Sequence, residues 1–323
     1  MKIEGLNSLR FFAFLSIYLF HTLPGFSFGY AGVDFFFVLS SFLLTYLALK
    51  EFENTSLFSR LNFFIRRALR IFPLYFLILF FSFVLLPFIG TYFNESISLP
   101  EKKWMYLLFL SNYDYQDCIF ALKFLWSIAA EEQFYLLFLI FSPLILKRPW
   151  VIVSILLLIH ILFILYSQQS NANVYTHTIT HFPNFSAGII AAHLYYKKQQ
   201  NKNWIFALLP ISILSLWLAD TGLLFNSILS VLFGTIILLT VQYASFVTKN
   251  ILYRFTEFWG NYTYGLYVYS GFVITFMSKF WDTGSFIINF LASTLILFLV
   301  SYLSYTFFEN KFLRLKKYYK RSS

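Results

Sequence analysis

Arg10 and His21 stand eleven positions apart in an otherwise charge-free apolar run, LRFFAFLSIYLFHTLPG. Eleven residues make about three helical turns, so in a helix the two side chains share one face at roughly 16 Å. An arginine in a membrane helix is costly and usually functional, and an imidazole accepts a proton near neutral pH. The pair predicts that Arg10 contacts an anionic group and that His21 accepts a proton about three helical turns away. The structural alternative is a snorkelling arginine and a core histidine bonded to a carbonyl.

The composition places this chain in a membrane. Hydrophobic residues make up 59% of its 323 residues, charged residues 12%, and phenylalanine alone contributes 45. No soluble domain of this size has such a composition. The net charge of +10 does not indicate nucleic-acid binding here, because the positive residues cluster between apolar stretches, where they orient membrane proteins. The single Cys118 excludes an internal disulfide and a thiolate cluster.

The fold class that we expect is an all-α polytopic membrane protein. Each membrane helix needs about 20 apolar residues, and the charge-free stretches predict about ten of them, at 7–23, 31–49, 71–90, 122–146, 150–166, 178–196, 204–219, 223–246, 259–278 and 285–308. With both termini in the cytoplasm, the outer loops carry only Lys102, Lys103, Lys123 and Lys279, which is the expected charge bias. The N-terminal stretch lacks a small-residue cleavage site and is predicted to be an uncleaved first span. We expect one membrane domain over residues 1–323, without an appended soluble domain.

Acidic residues in apolar surroundings are the next candidates. Asp34 lies near the predicted outer end of the second span, close in sequence to His21, whose tautomer it could fix; alternatively it caps the helix. Glu131 and Glu132 lie inside an apolar helix, and at least one of them must point into the bundle because adjacent positions differ by about 100°. Buried acids in a membrane pair with cations or stay protonated. Either glutamate could therefore be catalytic or could simply pair with Arg10 or with the arginines before the third span.

Those arginines form the string RRALRIFPLYFL, with Arg66, Arg67 and Arg70 just before the predicted third span and Pro73 in its first turn. Arg67 and Arg70 are one turn apart, so they can grip phosphates by charge-assisted hydrogen bonds. The alternative is a topology anchor.

Two other features are ambiguous. The outer loop at about 91–121 is interpreted as a connector rather than a lid. His177 and His181 are four positions apart, a spacing that suits a metal, but no acidic or thiol third ligand is near in sequence. We therefore interpret them as a polar pair at the outer edge and predict no metal site.

Four strings together resemble the acyltransferase family 3 membrane proteins, which include bacterial O-acetyltransferases that decorate lipopolysaccharide, peptidoglycan and exopolysaccharide. These strings are GLNSLRFFAFLSIYLFH, GVDFFFVLSSF, RRALRIFPLY and LWSIAAEEQFYLLF. Weaker similarity continues in HFPNFSAGIIAAHL, GNYTYGLYVYSGFVI and FFENKFLRL. The chain departs from the family at Ser41, where glycine is usual, at Ser270, where histidine is usual, and at Asn310 and Lys311. The first two changes could alter acceptor specificity.

The resemblance implies transfer of an acyl group, usually acetyl, from cytoplasmic acyl-CoA to a hydroxyl outside the cytoplasm. The donor-binding residues would be Arg10, Arg67 and Arg70. The catalytic residues would be His21, Asp34, Glu131 and Glu132, with His21 either activating the acceptor hydroxyl or carrying the acyl group itself. Trp126 and Tyr135 would line the acceptor path. The expected partners are acyl-CoA, a glycan or lipid-linked saccharide and membrane lipids, and the expected location is the bacterial inner membrane.

Other functions stay open on the sequence alone. A transporter or flippase of an anionic lipid or glycan would use the buried Arg, His and Glu residues as a proton relay. Such proteins often have matched pairs of interrupted helices, and the sequence has no such pair. A catalytically silent sensor is disfavoured because the candidate residues are all present. The acceptor could also be a small molecule such as a macrolide, and the acyl chain could be longer than acetyl.

Overall fold

The computed structural model describes residues 3–92, 97–114, 118–170, 174–197, 223–247, 250–281 and 283–319, and these residues form helices and connecting turns without a β-strand. The helices, in chain order, are α1 Leu6–Thr22, α2 Ala31–Thr55, α3 Arg60–Phe80, α4 Leu86–Tyr92, α5 Lys103–Leu107, α6 Phe120–Lys123, α7 Leu125–Lys147, α8 Pro149–Ser170, α9 Phe182–Tyr196, α10 Leu223–Val247, α11 Ile251–Trp259, α12 Thr263–Phe280, α13 Phe286–Ser304 and α14 Asn310–Leu315. A π-helical turn at Phe81–Leu85 joins α3 to α4, and another at Tyr305–Glu309 joins α13 to α14.

Within these ranges, five helical segments are long and apolar enough to cross a membrane: Ser27–Thr55, Arg60–Tyr92, Phe120–Lys147, Pro149–Gln168 and Phe286–Tyr318. The protein is therefore an all-α membrane protein. The remaining predicted spans also have helices at their positions. The span predicted at 204–219 lies outside the described residues. The count of ten spans and the cytoplasmic placement of both termini stay predictions.

The third helix begins earlier than its charge pattern predicts. We expected a span from residue 71, but α3 starts at Arg60, where the Ser59 hydroxyl caps it by accepting from the Asn62 N–H at 3.4 Å. Pro73 is therefore inside the helix rather than in its first turn. Arg67 and Arg70 consequently lie on the helix itself, one turn apart on one face as expected.

The residues form two compact units, Met1–Phe58 with Leu136–Asn261 and Ser322–Ser323, and Ser59–Tyr135 with Tyr262–Arg321. In the first unit, α1 packs on α2, and α2 packs on α9 and α10. Glycine makes two of these approaches possible. A side chain at Gly32 would collide with Ala13, and one at Gly188 would collide with the α2 backbone at Val38. Ser41 donates a hydrogen bond to the Phe185 carbonyl at 2.5 Å and so connects α2 to α9.

The α1–α2 packing brings Asp34 alongside the middle of α1. Gly29 lies against Ser16 and Phe20, and Gly32 lies against Ala13 and Ile17, so α2 runs back along α1 as the chain advances. Asp34 follows Gly32 by two residues, about 3 Å of helix rise. It is therefore level with the middle of α1, and it is completely buried. Asp34 lies in the first turn of α2, near the end of the second span as predicted, and the outer location of that end stays a prediction.

In the second unit, the segment 97–114 reaches the middle of α3. The Phe109 ring stacks on Tyr75 at 4.3 Å and on Phe72 at 5.2 Å between centroids. Gln133 of α7 donates to the Phe109 carbonyl at 2.7 Å and to Asn112 Oδ1 at 2.8 Å. Irregular backbone is tolerated at this depth because the protein satisfies its polar groups. The segment is thus anchored inside its unit, and its interpretation as an outer connector rather than a lid stays a prediction.

Candidate active site

Arg10 and His21 both lie on α1, in its second and last turns, as their spacing predicts. Both side chains are half-buried. Arg10 Nη1 donates to Asn7 Oδ1 at 2.9 Å, so the guanidinium is tied to the first turn of the same helix. The His21 ring meets Phe20 edge to face with 4.8 Å between centroids. The helix therefore holds a cation and an imidazole on one face, about 16 Å apart along its axis.

Aromatic side chains surround the His21 end of α1. Phe20 contacts Tyr30 at 6.2 Å, and Tyr30 contacts both Phe28, at 6.0 Å, and Tyr175, at 5.8 Å. Phe20 is 37% exposed and Phe28 is 50% exposed. We call the five residues His21, Phe20, Phe28, Tyr30 and Tyr175 the His21 aromatic cluster. Its exposed surface therefore comes mainly from the aromatic rings of Phe20 and Phe28.

Asp34 holds a different imidazole from the one that we expected. Its carboxylate lies 3.0 Å from Nδ1 of His181 and accepts a hydrogen bond from Asn184 Nδ2 at 2.6 Å. The Tyr175 hydroxyl donates to its other oxygen at 3.4 Å. The idea that Asp34 orients His21 is therefore not supported by its contacts. Asp34 and His181 are both fully buried, and Asn184 is 1% exposed.

Both ring nitrogens of His181 have hydrogen-bond partners. Nδ1 faces the Asp34 carboxylate and Nε2 faces the Tyr175 carbonyl at 2.7 Å. The Asn184 Nδ2 also lies 3.3 Å from His181 Nδ1. Asp34, His181 and Asn184 therefore form a buried hydrogen-bonded group that joins α2 to the start of α9. We had interpreted His181 as an outer polar residue; the signal for its role was the string HFPNF, which also contains Asn184.

The second unit brings together the predicted arginines and glutamates. The Tyr135 hydroxyl donates to Glu131, and the Arg67 guanidinium lies over the Tyr135 and Phe63 rings at 5.6 and 5.8 Å. Arg67 also interacts electrostatically with Glu131 and Glu132. Tyr135 is thus held inside this group, and the expectation that it lines an acceptor path has no support from its contacts.

Glu132 is the less satisfied of the two glutamates. It is 6% exposed, and its Oε1 has no hydrogen-bond partner among the residues that the structure describes. A buried carboxylate oxygen without a donor is costly. The arrangement leaves Glu132 able to accept a hydrogen bond from a substrate group. Trp126, on the preceding turns of α7, is buried.

Glu309 and Tyr264 belong to the same unit, and neither was among the residues expected from the sequence. Glu309, in the second π-helical turn, is 5% exposed, accepts a hydrogen bond from the Ser304 hydroxyl at 3.2 Å and interacts electrostatically with Arg70. The Tyr264 hydroxyl donates to the Ile71 carbonyl at 2.8 Å. The signal for Glu309 was a single acid inside the apolar run before KFLRLKK.

Ser270, expected from the resemblance to replace a histidine, lies on α12. It is 1% exposed, and its hydroxyl donates to the Tyr267 carbonyl at 2.6 Å. The hydroxyl is therefore used within its own helix. Across the described part of the chain, no group of three or more His, Cys, Asp or Glu side chains could hold a metal ion.

Comparison with known proteins gives one consistent family. A family model described as an acyltransferase domain matches residues 3–306. A Staphylococcus aureus (strain COL) protein named "Putative O-acetyltransferase SACOL0978" is 29% identical over 96% of the chain. O-acetyltransferase OatA of Staphylococcus aureus (strain NCTC 8325) is 28% identical over 95% of it. The chain spans 57% of the length of each of these relatives. No solved structure matches the chain. Since the family model covers nearly its whole length, the chain belongs to this acyltransferase family.

Proposed function

We propose that this protein is an O-acetyltransferase of the bacterial cell membrane, which transfers an acetyl group from cytoplasmic acetyl-CoA to a hydroxyl of an extracytoplasmic glycan or glycolipid. Family membership and the names of the relatives support acyl transfer to oxygen. The relatives' source supports a bacterial membrane. The single observation that carries the proposal is α1, which presents Arg10 and His21 on one face about three turns apart.

The separation on α1 suits the shape of acyl-CoA. The molecule has an anionic nucleotide end and a long arm that ends in a thioester. Arg10 would contact a phosphate by charge-assisted hydrogen bonds, while the imidazole at the other end of the helix would lie near the thioester. Half-burial leaves both side chains reachable by a ligand.

The chemical step that we assign to His21 is general base catalysis. The neutral ring takes the proton of the acceptor hydroxyl while the oxygen bonds to the thioester carbonyl carbon. Collapse of the tetrahedral intermediate breaks the carbon–sulfur bond, and the leaving CoA thiolate takes the proton back from the imidazolium. The products are an ester and CoA thiol, and His21 returns to its neutral form. A covalent acyl-His21 intermediate is the other route, and trapping labelled acyl-enzyme without acceptor distinguishes it.

We assign different roles to Arg67 and Arg70, the two arginines of the second unit. Arg67 lies between aromatic rings and beside Glu131 and Glu132, so we assign it to holding those carboxylates. Arg70, one turn later, is the stronger candidate for a CoA phosphate. Glu132, with an oxygen that lacks a donor among the described residues, would accept a hydrogen bond from the substrate.

A sugar acceptor is supported by the His21 aromatic cluster. Flat aromatic faces stack on the C–H faces of pyranose rings, and phenol groups add hydrogen bonds at their edges. Phe20 and Phe28 are exposed beside the imidazole that would activate a sugar hydroxyl.

The test is mass spectrometry of cell-surface glycans from cells with the protein, without it, and with His21→Ala at equal membrane abundance. We expect acetyl esters only with the wild-type protein. Identical glycans in all three strains would reject a surface glycan as acceptor, and a small-molecule acceptor would then be sought with purified protein.

A further inference from the structure

The short helix α11 contacts the start of α1 through its polar side. Thr256 donates to the Ser8 hydroxyl at 3.0 Å, and the Tyr253 hydroxyl accepts from the Gly5 N–H at 3.2 Å. Gly260, just after α11, approaches the Asn7 backbone so closely that any side chain there would collide with it. The beginning of α1, where Arg10 lies, is thus fixed against α11.

Glu257 is the charged residue at this contact. One of its oxygens accepts from Asn7 Nδ2 at 3.3 Å, and the other accepts from the Ser8 N–H and hydroxyl, both at 3.3 Å. A carboxylate at a helix N-terminus satisfies first-turn N–H groups and interacts favourably with the helix dipole. Glu257 therefore caps α1 from another helix.

The same carboxylate fixes the orientation of the Asn7 amide. Asn7 Nδ2 donates to Glu257 and to Asn261 Oδ1, at 3.3 and 3.0 Å, which leaves Asn7 Oδ1 to accept from Arg10. Rotation of the amide by 180° would set its oxygen against two acceptors and its NH₂ group against a guanidinium. Asn7 is only 8% exposed, so water cannot readily replace these bonds.

The exposed apolar side of α11 suggests what holds Glu257 against α1. Ile251 is 84% exposed and Leu252 is 58% exposed, with Phe255 and Phe258 at 49% each. A short helix with its apolar side exposed and its polar side against protein suits the membrane interface. Burial of the apolar side in lipid would hold Glu257 against α1.

We propose that Glu257 is a positioning residue for the donor site: through Asn7, it sets the direction of the Arg10 guanidinium that binds an acyl-CoA phosphate. This inference rests on the proposed function, because it assigns CoA binding to Arg10. It adds a residue 247 positions away from Arg10 that no motif of the sequence identifies.

The experiment measures CoA affinity and thermal stability of the purified full-length protein for wild type, R10A, E257Q, N7D and the double variant N7D/E257Q. Glutamine has one acceptor where glutamate has two, so E257Q should weaken CoA binding about three- to tenfold. N7D places the introduced carboxylate beside that of Glu257 and should weaken CoA binding by a similar factor. In the double variant, the introduced glutamine amide can donate to the introduced aspartate, which still accepts from Arg10, so we expect most of the affinity to return.

Glu4→Gln is the matched control, because it makes the same chemical change on an exposed residue three positions from Asn7; CoA affinity should stay within twofold. If R10A weakens CoA binding and E257Q does not, the positioning role is overturned while the donor site stands. If E257Q and the double variant lose CoA affinity equally and lose stability in parallel, Glu257 acts only as a helix cap. This result would also overturn the positioning role. If R10A itself binds CoA normally, the donor assignment in the proposed function fails, and the positioning role fails with it.

Discussion

The Asp34 carboxylate lies 3.0 Å from Nδ1 of His181, and both side chains are completely buried. The pair joins α2 to the 3-10 turn Thr178–His181 that precedes α9, and Asn184 on α9 adds a hydrogen bond to the same carboxylate oxygen. The Tyr175 hydroxyl donates to Asp34, and the Tyr175 ring contacts Tyr30 in the His21 aromatic cluster. The Asp34–His181 contact thus supports the packing of the first unit and, through Tyr175, the position of the His21 aromatic cluster.

Removal of one member of this pair should be strongly destabilising. Asp34→Ala leaves His181, Asn184 and Tyr175 without their shared acceptor, and each buried group left unsatisfied costs about 1–3 kcal/mol. We expect a clearly lowered unfolding temperature in detergent for Asp34→Ala and for His181→Ala. The control is Asp114→Ala, which breaks the exposed ion pair with Lys102 and should cost at most about 1 kcal/mol. Similar melting temperatures for all three variants would contradict a stabilising role for the Asp34–His181 contact.

Gln133 should hold the segment 97–114 in place. Gln133→Leu keeps the volume of the side chain and removes three hydrogen bonds to the segment, at the Phe109 carbonyl, Asn112 Oδ1 and the Tyr113 hydroxyl. Hydrogen exchange in peptides covering 106–113 should become faster, because the Phe109 carbonyl loses its donor. Gln168→Leu, on the exposed face of α8, is the control. Unchanged exchange in the Gln133 variant would show that the contacts with α3, namely ring stacking and the Tyr75 hydrogen bond to the Tyr106 carbonyl, anchor the segment without Gln133.

The two arginines of α3 should differ in their effects. Arg70→Ala is expected to weaken CoA binding about tenfold, since a charge-assisted contact contributes about 1.5–3 kcal/mol. Arg67→Ala should mainly lower the thermal stability, because it leaves Glu131 and Glu132 without their nearby cation. Calorimetric CoA titration and thermal unfolding of both variants separate these roles. Normal CoA affinity in Arg70→Ala would return this residue to the role of topology anchor.

Local patterns predicted much of the fold and part of the site. The charge-free runs gave a helix at each predicted position that the structure describes, and the eleven-residue spacing placed Arg10 and His21 on one helix. The start of α3 was missed because its first turns carry charges, although Ser59 marks the cap. Composition cannot locate such a boundary when a helix extends beyond its apolar part.

Contacts between residues far apart in the chain could not be predicted from the sequence. Asp34 is 147 positions from His181 and 13 from His21, so proximity in sequence favoured the wrong imidazole. Glu257, in the helix just before GNYTYG, looks like an ordinary polar residue until α11 is packed on α1. The depth of Phe109 depends on stacking with Tyr75 and a bond from Gln133, which no local pattern encodes.

The central claim is that the acyl group leaves CoA and joins a hydroxyl with the help of His21. Inside-out vesicles from cells that contain the protein expose the cytoplasmic face and enclose the cell's own glycans. When radiolabelled acetyl-CoA is added outside, we expect label on the enclosed glycans and one free CoA outside per acetyl group transferred. Vesicles with His21→Ala at equal abundance should show neither product. Movement of a glycan without thioester cleavage, or near-normal transfer by His21→Ala, would contradict the account.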